Sequence, residues 1–247
     1  MKTIALYSIK GGVGKTAAAT NLAYLAAKDR YSTLLCDLDP QGSASYYFKI
    51  RPNKKLNSKK LMKGGDKLLN MIRATDYENL DLLPADISYR NLDLKLDKED
   101  KSSGFLKSAL KGVKNHYDYI LIDSPPNITL LSENIFNSAD VVIYPFIPTT
   151  LSKITFDKLL ALLKEKSMKT EKIHSFFSMV DSRKKLHGQI IAEMNQSNLN
   201  FLKTMIPFRS DIEKMGIYCE PIVHTKPRSD SAISFENLWM EIKTILQ

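Results

Sequence analysis

Apolar runs of strand length alternate with helix-type patterns along most of the chain. The runs are apolar throughout rather than at every second position, which is typical of strands covered on both faces. They occupy residues 3–9, 33–39, 80–86, 117–126, 140–148 and 172–181. Patterns with apolar residues three and four positions apart predict helices at 17–28, near 103–114, and at 129–138, 151–166, 187–198 and 232–247.

The alternation of strand and helix predicts the architecture. Strands separated by helices form parallel sheets, because each helix carries the chain back across the sheet in a right-handed crossover. Neither an internal repeat nor a linker rich in Pro, Gly and Ser divides the 247 residues. We therefore expect an α/β fold with a doubly wound, mostly parallel sheet, in which residues 1–247 form a single domain.

Composition excludes several classes of protein. The chain is 43% hydrophobic and 26% charged, which is ordinary for a soluble globular protein. No run of about 18 apolar residues is present, so we expect no membrane span. The two cysteines, Cys36 and Cys219, are too few for a disulfide framework or a four-thiolate metal site within one chain. Cys36 lies inside an apolar run and is expected in the core of a reduced, cytoplasmic protein.

The net charge of +9 favours an anionic partner, such as nucleic acid or anionic lipid, without choosing between them. Much of this charge is concentrated in residues 49–67, which hold eight Lys or Arg and one Asp. Such a segment is either a solvated, mobile helix face or insertion, or a surface that contacts a polyanion. The sequence leaves both interpretations open.

Residues 9–16, IKGGVGKT, lie between the first predicted strand and the first predicted helix. A phosphate-binding loop needs residues without bulky Cβ atoms, so that successive backbone N–H groups can point at the anion, and the three glycines permit this. The helix that follows presents its N-terminal dipole to the same anion. Lys15 is placed to reach the β- and γ-phosphates of a triphosphate, and the Thr16 hydroxyl to ligate Mg²⁺. The nucleotide-binding candidates in this loop are Lys10, Gly11, Gly12, Val13, Gly14, Lys15, Thr16 and Ala17.

A second lysine distinguishes this loop from the general pattern GxxxxGK[ST], whose first glycine is missing here. Residues 10–16, KGGVGKT, resemble the deviant Walker A motif of the ParA/MinD family of positioning ATPases. The resemblance implies a P-loop NTPase fold, ATP and Mg²⁺ as cofactors, and a homodimer that forms on ATP binding. It also implies that Lys10 crosses the dimer to contact phosphate in the partner's site. A cation supplied only on dimerisation would stabilise charge on the transferring phosphoryl group, so hydrolysis would depend on assembly.

Carboxylates follow two of the predicted strands. Residues 34–45, LLCDLDPQGSAS, resemble the first switch of the same family, which implies that Asp39 orients the attacking water while Asp37 lies deeper and supports the site. Residues 119–126, YILIDSPP, have the form of a Walker B strand that ends at Asp123 and continues into a second switch. By this resemblance Thr16 ligates Mg²⁺ directly, whereas Asp39 and Asp123 do so through water. The catalytic candidates are Lys10, Lys15, Asp39 and Asp123.

The resemblance extends over nearly the whole chain, and residues 49–76 are the least family-like. MVDSR at 179–183 resembles the fifth-strand motif, and residues 206–222 resemble the nucleotide-base loop. It implies that Pro207 and Phe208 border adenine, with Arg183 nearby. There are also departures. Ala17 and Ala18 replace two threonines that are common in the family, and an arginine used for DNA binding in the Soj-like branch is replaced by Asp211.

The resemblance leaves three functions to compare. A ParA-like ATPase would bind DNA non-specifically as an ATP dimer and hydrolyse ATP only weakly until a ParB-like or other adaptor stimulates it. It would position a plasmid, a chromosome origin or a protein body such as a carboxysome on the nucleoid. A MinD-like regulator would cycle on membrane through a C-terminal amphipathic helix, and a metabolic P-loop enzyme of the dethiobiotin synthetase type would need no adaptor.

The closing helix favours DNA over membrane. Its apolar residues are expected to form a stripe that faces the core, and no basic amphipathic extension follows Gln247. These apolar residues are Ile233, Phe235, Leu238, Trp239, Ile242, Ile245 and Leu246. Contacts to DNA should go mainly to phosphates. The candidate DNA-binding cations are Arg183, Lys184, Lys185, Arg209 and Lys214, with Lys153 and Lys158 outside this group.

Overall fold

A computed structural model describes residues 1–52, 57–98 and 104–247. Its described strands form one sheet with the order β3-β4-β2-β5-β1-β6-β7-β8. Neighbouring strands are parallel, except that β3 pairs with β4 in the antiparallel sense. The strands are β1 (Lys2–Leu6), β2 (Thr33–Asp37), β3 (Arg73–Ala74), β4 (Leu80–Leu83), β5 (Tyr119–Asp123), β6 (Val141–Phe146), β7 (Ile173–Val180) and β8 (Phe201–Pro207).

The expected doubly wound sheet is confirmed, and all six predicted strands are present as β1, β2, β4, β5, β6 and β7. Strands β3 and β8 were not predicted. Strand β3 has only two residues, too few to form a pattern. Strand β8 lies at the edge of the sheet, where Lys203 and Met205 are exposed and Thr204 is half-buried, so it lacks the continuous apolar run of a central strand.

Helices connect the strands and cover both faces of the sheet. The predicted helices agree with the described ones to within three residues, apart from the pattern near 103–114, whose first residue lies outside the described residues. A 3₁₀ helix occupies Ile87–Asn91. The α-helices are α1 (Lys15–Lys28), α2 (Ser43–Tyr47), α3 (Ser58–Lys63), α4 (Asp66–Leu69), α5 (Leu92–Asp97), α6 (Phe105–Lys111), α7 (Leu130–Ser138), α8 (Thr150–Glu165), α9 (Lys185–Asn195), α10 (Ser210–Glu213), α11 (Met215–Tyr218), α12 (Ile222–Thr225) and α13 (Asp230–Leu246).

Successive residues of the central strands point to opposite faces and so enter two separate cores. Ile4 and Leu6 of β1 pack in the cluster that includes α1 and α13, whereas Ala5 and Tyr7 pack in the cluster on the other face. Each central strand is therefore covered on both faces, which explains why its run in the sequence is largely apolar and does not alternate. Cys36 of β2 is fully buried, as expected.

The predicted core stripe of α13 is wrong at one position. Ile233 is 45% exposed, whereas Phe235, Leu238 and Trp239 are buried. A side chain two residues before Phe235 lies about 200° around the helix from it, so Ile233 faces away from the core side that Phe235 occupies. No helix in the described ranges is long and apolar enough to cross a membrane.

The basic segment 49–67 is only partly described, because Lys54 and Lys55 lie outside the described residues. Its second half forms α3 and α4, and α3 is capped by the Asn57 side chain, which accepts a hydrogen bond from the backbone N–H of Lys60 at 3.1 Å. Leu61 is fully buried, so this part of the segment packs against the core. The choice between a solvated face and a polyanion contact stays open.

The sheet order brings three strand ends together at one edge. Asp123 at the end of β5 is in register with Leu6 of β1 on one side and with Asp37 of β2 on the other. Strand β1 lies beside β5 on one side and β6 on the other, so the direction in which the chain adds strands reverses there. Ligands of open α/β sheets bind at such a reversal, outside the carboxyl ends of the strands.

Candidate functional site

The glycine loop leaves β1 at this reversal and enters α1. Gly12 and Gly14 have φ angles of 68° and 91°, a left-handed conformation that side chains other than glycine rarely adopt. A Cβ at Gly14 would lie 2.9 Å from the Ser178 Oγ, so only glycine fits there. The Ser178 hydroxyl donates a 2.8 Å hydrogen bond to the carbonyl of Val13 and fixes the loop to β7. The loop is thus a rigid backbone cradle at the N-terminus of a helix, which suits an anion.

Lys15 is buried inside this cradle. Its Nζ donates a hydrogen bond to the carbonyl oxygen of Lys10 at 3.1 Å, and its side chain is almost completely removed from solvent. Burial lowers the pKa of the Lys15 ammonium, and the negative charges of Asp123 and Asp39 oppose this. A buried cation of this kind is stabilised strongly by an anion that enters the loop.

Two buried carboxylates face the loop. Asp37 Oδ2 accepts hydrogen bonds from the backbone N–H of Ser45 at 2.8 Å and from its hydroxyl at 2.7 Å. Within the described residues, neither carboxylate oxygen of Asp123 has a hydrogen-bond partner. Burial, followed by repulsion from Asp37, raises the pKa of Asp123 to about 8, while the nearby Thr16 hydroxyl and Lys15 ammonium oppose the rise. Burial likewise raises the pKa of Asp37 to about 6.

The unsatisfied oxygens of Asp123 fit a hard divalent cation. Mg²⁺ prefers oxygen ligands in octahedral geometry and keeps several of its waters, so it binds through one or two protein groups and substrate phosphates. Thr16 and Asp123 supply a hydroxyl and a carboxylate next to the phosphate cradle. The residues present therefore fit Mg²⁺ at the position predicted from the sequence.

The raised pKa of Asp123 predicts how stability depends on pH. Between the ordinary pKa of an aspartate and the raised value of about 8, the folded chain retains a proton on Asp123 that the unfolded chain has lost, so the free energy of unfolding falls as the pH rises. Without nucleotide and with a chelator present, we expect a loss on the order of 1 kcal/mol per pH unit below pH 8. Denaturant unfolding of the wild type and Asp123→Asn measures the difference. The variant should show a clearly flatter dependence, and an equal slope in both proteins would contradict this.

Lys10 lies on the solvent side of the loop, and its contacts differ from those of Lys15. It is half-buried, and its Nζ lies 3.4 Å from the hydroxyl of Ser152 on α8, a long and therefore weak hydrogen bond. Among the described residues it has no carboxylate partner. Lys10 is thus a cation at the edge of the cradle, held only loosely by its own chain.

Asp39 lies in the loop that follows β2, outside the deep carboxylate pair. It is half-buried, and its Oδ1 accepts a 3.0 Å hydrogen bond from the backbone N–H of Gln41. The N–H of Gly42 donates to the Asp39 carbonyl at 2.9 Å and closes the turn. Since Asp39 acts electrostatically on Lys15, Asp37 and Asp123, the structure gathers all four groups into one site.

An apolar cavity of ≈ 30 Å³ adjoins the loop on the side of β8. Gly14 and Ala17 line it together with Pro207 and Phe208, which the sequence predicts to border a nucleotide base. Arg183 does not line this cavity but an adjoining groove of ≈ 530 Å³ that shares Pro207 and Phe208 with it. The assignment of these three residues to the base stays a prediction.

The cations proposed from the sequence to contact DNA fall into two groups. Arg183 forms a two-point ion pair with Asp181, with both N–O distances at 2.9 Å, and Arg209 pairs with Asp230 at 3.6 Å. Lys153 is paired with Glu193. The remaining candidates are exposed and form no ion pair with a described residue. They are Lys184, Lys185 and Lys214; Lys158, which lies outside the candidate group, is exposed and unpaired in the same way.

Three serines of the site were missed in the sequence. Ser45 binds Asp37, Ser152 contacts Lys10, and Ser178 supports the loop. Each contact joins residues on different elements, so no local spacing reveals it. The position of Ser178 in the MVDSR region, near the carboxyl end of a strand, was the one available signal.

The sequence matches known proteins over its full length. A family model described as an AAA domain matches residues 1–176. The chain is 31% identical to the sporulation initiation inhibitor protein Soj of Bacillus subtilis, and the match covers 98% of each chain. It is also 31% identical to the chromosome-partitioning ATPase Soj of Treponema pallidum, over 98% of this chain and 96% of that protein.

The fold also matches a solved structure over the full length of the chain. A protein of Borrelia burgdorferi assigned to plasmid partition, with bound AMPPNP, superimposes with a TM-score of 0.81 and 26% identity, over 100% of this chain and 99% of the other. The chain belongs to the ParA/MinD family of P-loop ATPases, in its partition branch.

Proposed function

We propose that the protein is an ATPase that dimerises around ATP, binds DNA non-specifically in that state, and is released when an adaptor stimulates hydrolysis. The observation that carries the proposal is the placement of the two loop lysines. Lys15 is buried within its own cradle, whereas Lys10 lies at the edge of the loop without a carboxylate partner among the described residues. One lysine is therefore built to bind nucleotide in the same chain, and the other is free to act on a second chain.

ATP binds with its phosphates on the loop N–H groups and at the N-terminus of α1. Lys15 releases the carbonyl of Lys10 and pairs with the β- and γ-phosphates. The base lies against Pro207 and Phe208. Since the cavity there is ≈ 30 Å³, a purine enters only after the half-exposed Phe208 moves outward. Thr16 would hold Mg²⁺ directly, and Asp39 and Asp123 would hold it through water; the bound ion would supply positive charge to the phosphates.

Hydrolysis depends on residues that act at different distances from the phosphates. Asp39 orients the attacking water, and its half-buried position lets solvent reach it. Asp37 lies deeper and holds the first switch through Ser45. Lys10 of a second copy adds positive charge where negative charge develops on the transferring group, so turnover in the isolated chain is slow.

The ATP dimer binds DNA through phosphate contacts, and the unpaired Lys184 and Lys185 are the strongest candidates for them. Lys184 ends the turn that leads from β7 into α9, and Lys185 is the first residue of α9, so both lie close to the carboxyl edge of the sheet. Arg183 and Arg209 are already paired with carboxylates and would have to exchange these for DNA phosphates. We place the protein on the nucleoid in the cytoplasm, with a plasmid, a chromosome origin or a protein body as the cargo.

Binding to a random-sequence DNA duplex, with ATP or ADP and at two salt concentrations, tests the proposal. We expect tight binding with ATP only, and steep weakening with salt because counterions are released from the phosphates. Reversing two cations in Lys184→Glu/Lys185→Glu should weaken binding at least about tenfold and lower the salt slope by about two.

The control reverses the same number of charges at the opposite edge of the sheet. Lys111 ends α6 and Lys114 follows it, and both are exposed shortly before β5 begins. Lys111→Glu/Lys114→Glu should therefore bind DNA much more like the wild type. Equal losses of DNA affinity in both double variants would mean that binding depends on the net charge of the protein and not on the position of these lysines. Binding that ignores the nucleotide, or is absent in both states, would contradict the proposal and favour membrane or metabolic roles. Sedimentation with anionic liposomes and turnover without a protein partner would then distinguish these.

A further inference from the structure

Ser45 occupies a central place in the first switch that its sequence position does not reveal. It lies on the short helix α2, eight residues after Asp37, and is buried. Its backbone N–H and its hydroxyl both donate to Asp37 Oδ2, at 2.8 and 2.7 Å. The same hydroxyl oxygen accepts a 2.9 Å hydrogen bond from the backbone N–H of Ala85. One side chain thus connects the ends of two neighbouring strands, because Asp37 ends β2 and Ala85 follows β4.

These hydrogen bonds close the segment 38–44 into a loop with a fixed base. Asp39 lies in this loop, where its carboxylate and its carbonyl accept the turn bonds of Gln41 and Gly42. Its backbone N–H donates to the same Asp37 carboxylate that Ser45 binds. The loop also packs on the residue that Ser45 binds, since a Cβ built at Gly42 would lie 3.6 Å from the Cβ of Ala85. The position of the Asp39 carboxylate therefore depends on the base of its loop more than on contacts of its own.

We propose that Ser45 is a positioning residue for Asp39: by joining Asp37 to Ala85, it fixes the loop that orients the attacking water. The inference rests on the proposed ATPase function and assigns Ser45 no contact with substrate. Displacing a catalytic group by about 1 Å can lower a rate about a hundredfold, so a clamp at the loop base affects turnover more than nucleotide affinity. The phosphate cradle lies on β1 and α1, and Ser45 does not contribute to it.

The test compares Ser45→Ala with Ser45→Thr, which retains a hydroxyl, and with the control Ser43→Ala on the same helix. Ser45→Ala keeps the backbone N–H bond to Asp37 but loses the hydroxyl that joins Asp37 to Ala85. We expect kcat for ATP hydrolysis to fall at least about tenfold while KM stays within about twofold, because a buried hydrogen bond to a charged group is lost. Ser45→Thr should recover most of kcat, and Ser43→Ala should match the wild type.

Hydrogen exchange without nucleotide provides a second readout that does not depend on hydrolysis. In Ser45→Ala the amides of residues 38, 39 and 41–45 should exchange at least about tenfold faster than in the wild type, with the loop N–H groups at 11–14 unchanged. Thermal melting of each variant separates this local opening from general unfolding.

The outcomes divide clearly. Unchanged exchange and kcat in Ser45→Ala, or faster exchange with unchanged kcat, overturns the positioning role. A rise in KM without a fall in kcat in Ser45→Ala would also overturn it. So would a loss of activity in Ser43→Ala equal to that in Ser45→Ala. A wild-type protein that hydrolyses no ATP overturns the proposed function, and with it the role of Asp39. The exchange data would then still decide whether Ser45 holds the loop.

Discussion

Replacing Lys10 with alanine is expected to lower ATP hydrolysis in the presence of DNA by about a thousandfold, with ATP affinity within about tenfold of the wild type. The cation that a partner supplies to a transferring phosphoryl group contributes on this scale to the rate, as arginine fingers do in other P-loop enzymes. The ammonium contacts its own chain only through the Ser152 hydroxyl at 3.4 Å among the described residues, so its loss should leave the fold and the cradle intact. Phosphate release and equilibrium ATP binding measure the two quantities separately.

The control for Lys10 is Lys2→Ala, since Lys2 lies exposed at the amino end of β1, the strand that leads into the loop, away from the cradle. It should hydrolyse ATP like the wild type. Full activity in Lys10→Ala would remove the dimer-dependent mechanism, and loss of ATP binding would show that Lys10 acts within its own site.

Replacing Lys15 with alanine is expected to weaken ATP affinity at least about a hundredfold, so that a titration no longer detects binding. The Lys15 ammonium is buried in the cradle, where it donates to the carbonyl of Lys10. Its removal would leave the negative charge of bound phosphate without a positive partner there. Because burial lowers the pKa of Lys15, the variant should also be no less stable than the wild type when nucleotide is absent.

Titration with a fluorescent ATP analogue measures this loss, and thermal melting checks the fold. Lys28→Ala is the matched control, because Lys28 lies on the surface at the other end of α1 and pairs with Glu236 at 3.3 Å. An ion pair this exposed contributes little, so the control should bind ATP normally. Tight ATP binding by Lys15→Ala would contradict the assignment of the cradle.

The parts of the fold that could be predicted are those in which one physical cause acts on every residue of an element. The central residues of β1, β2 and β5 are largely apolar because helices cover both faces of these strands. The phosphate loop was equally clear, since glycines, lysine and threonine follow a strand in a fixed order. The division of the chain into one ATPase domain at 1–247 stays a prediction.

The parts that could not be predicted depend on contacts between distant residues. Ser178 and Val13 are 165 positions apart, and nothing in either local sequence indicates the hydrogen bond that fixes the phosphate loop. Strand β8 carries the adjacent polar residues Lys203 and Thr204, as an edge strand can, and edge position follows from topology rather than from composition. The pairing of Arg183 with Asp181 is local, yet its two-point geometry depends on the turn that precedes α9.

The central claim, that Lys10 acts in the site of a second copy, is tested most directly by mixing two inactive variants. Lys10→Ala has an intact site but donates no lysine, whereas Asp39→Ala donates Lys10 but cannot orient water. In a random equimolar mixture half of the dimers are mixed and each of these has one complete site, so we expect about a quarter of the wild-type rate. Each variant alone should be inactive, and a mixture that stays inactive, with ATP bound and dimers formed, would contradict the account.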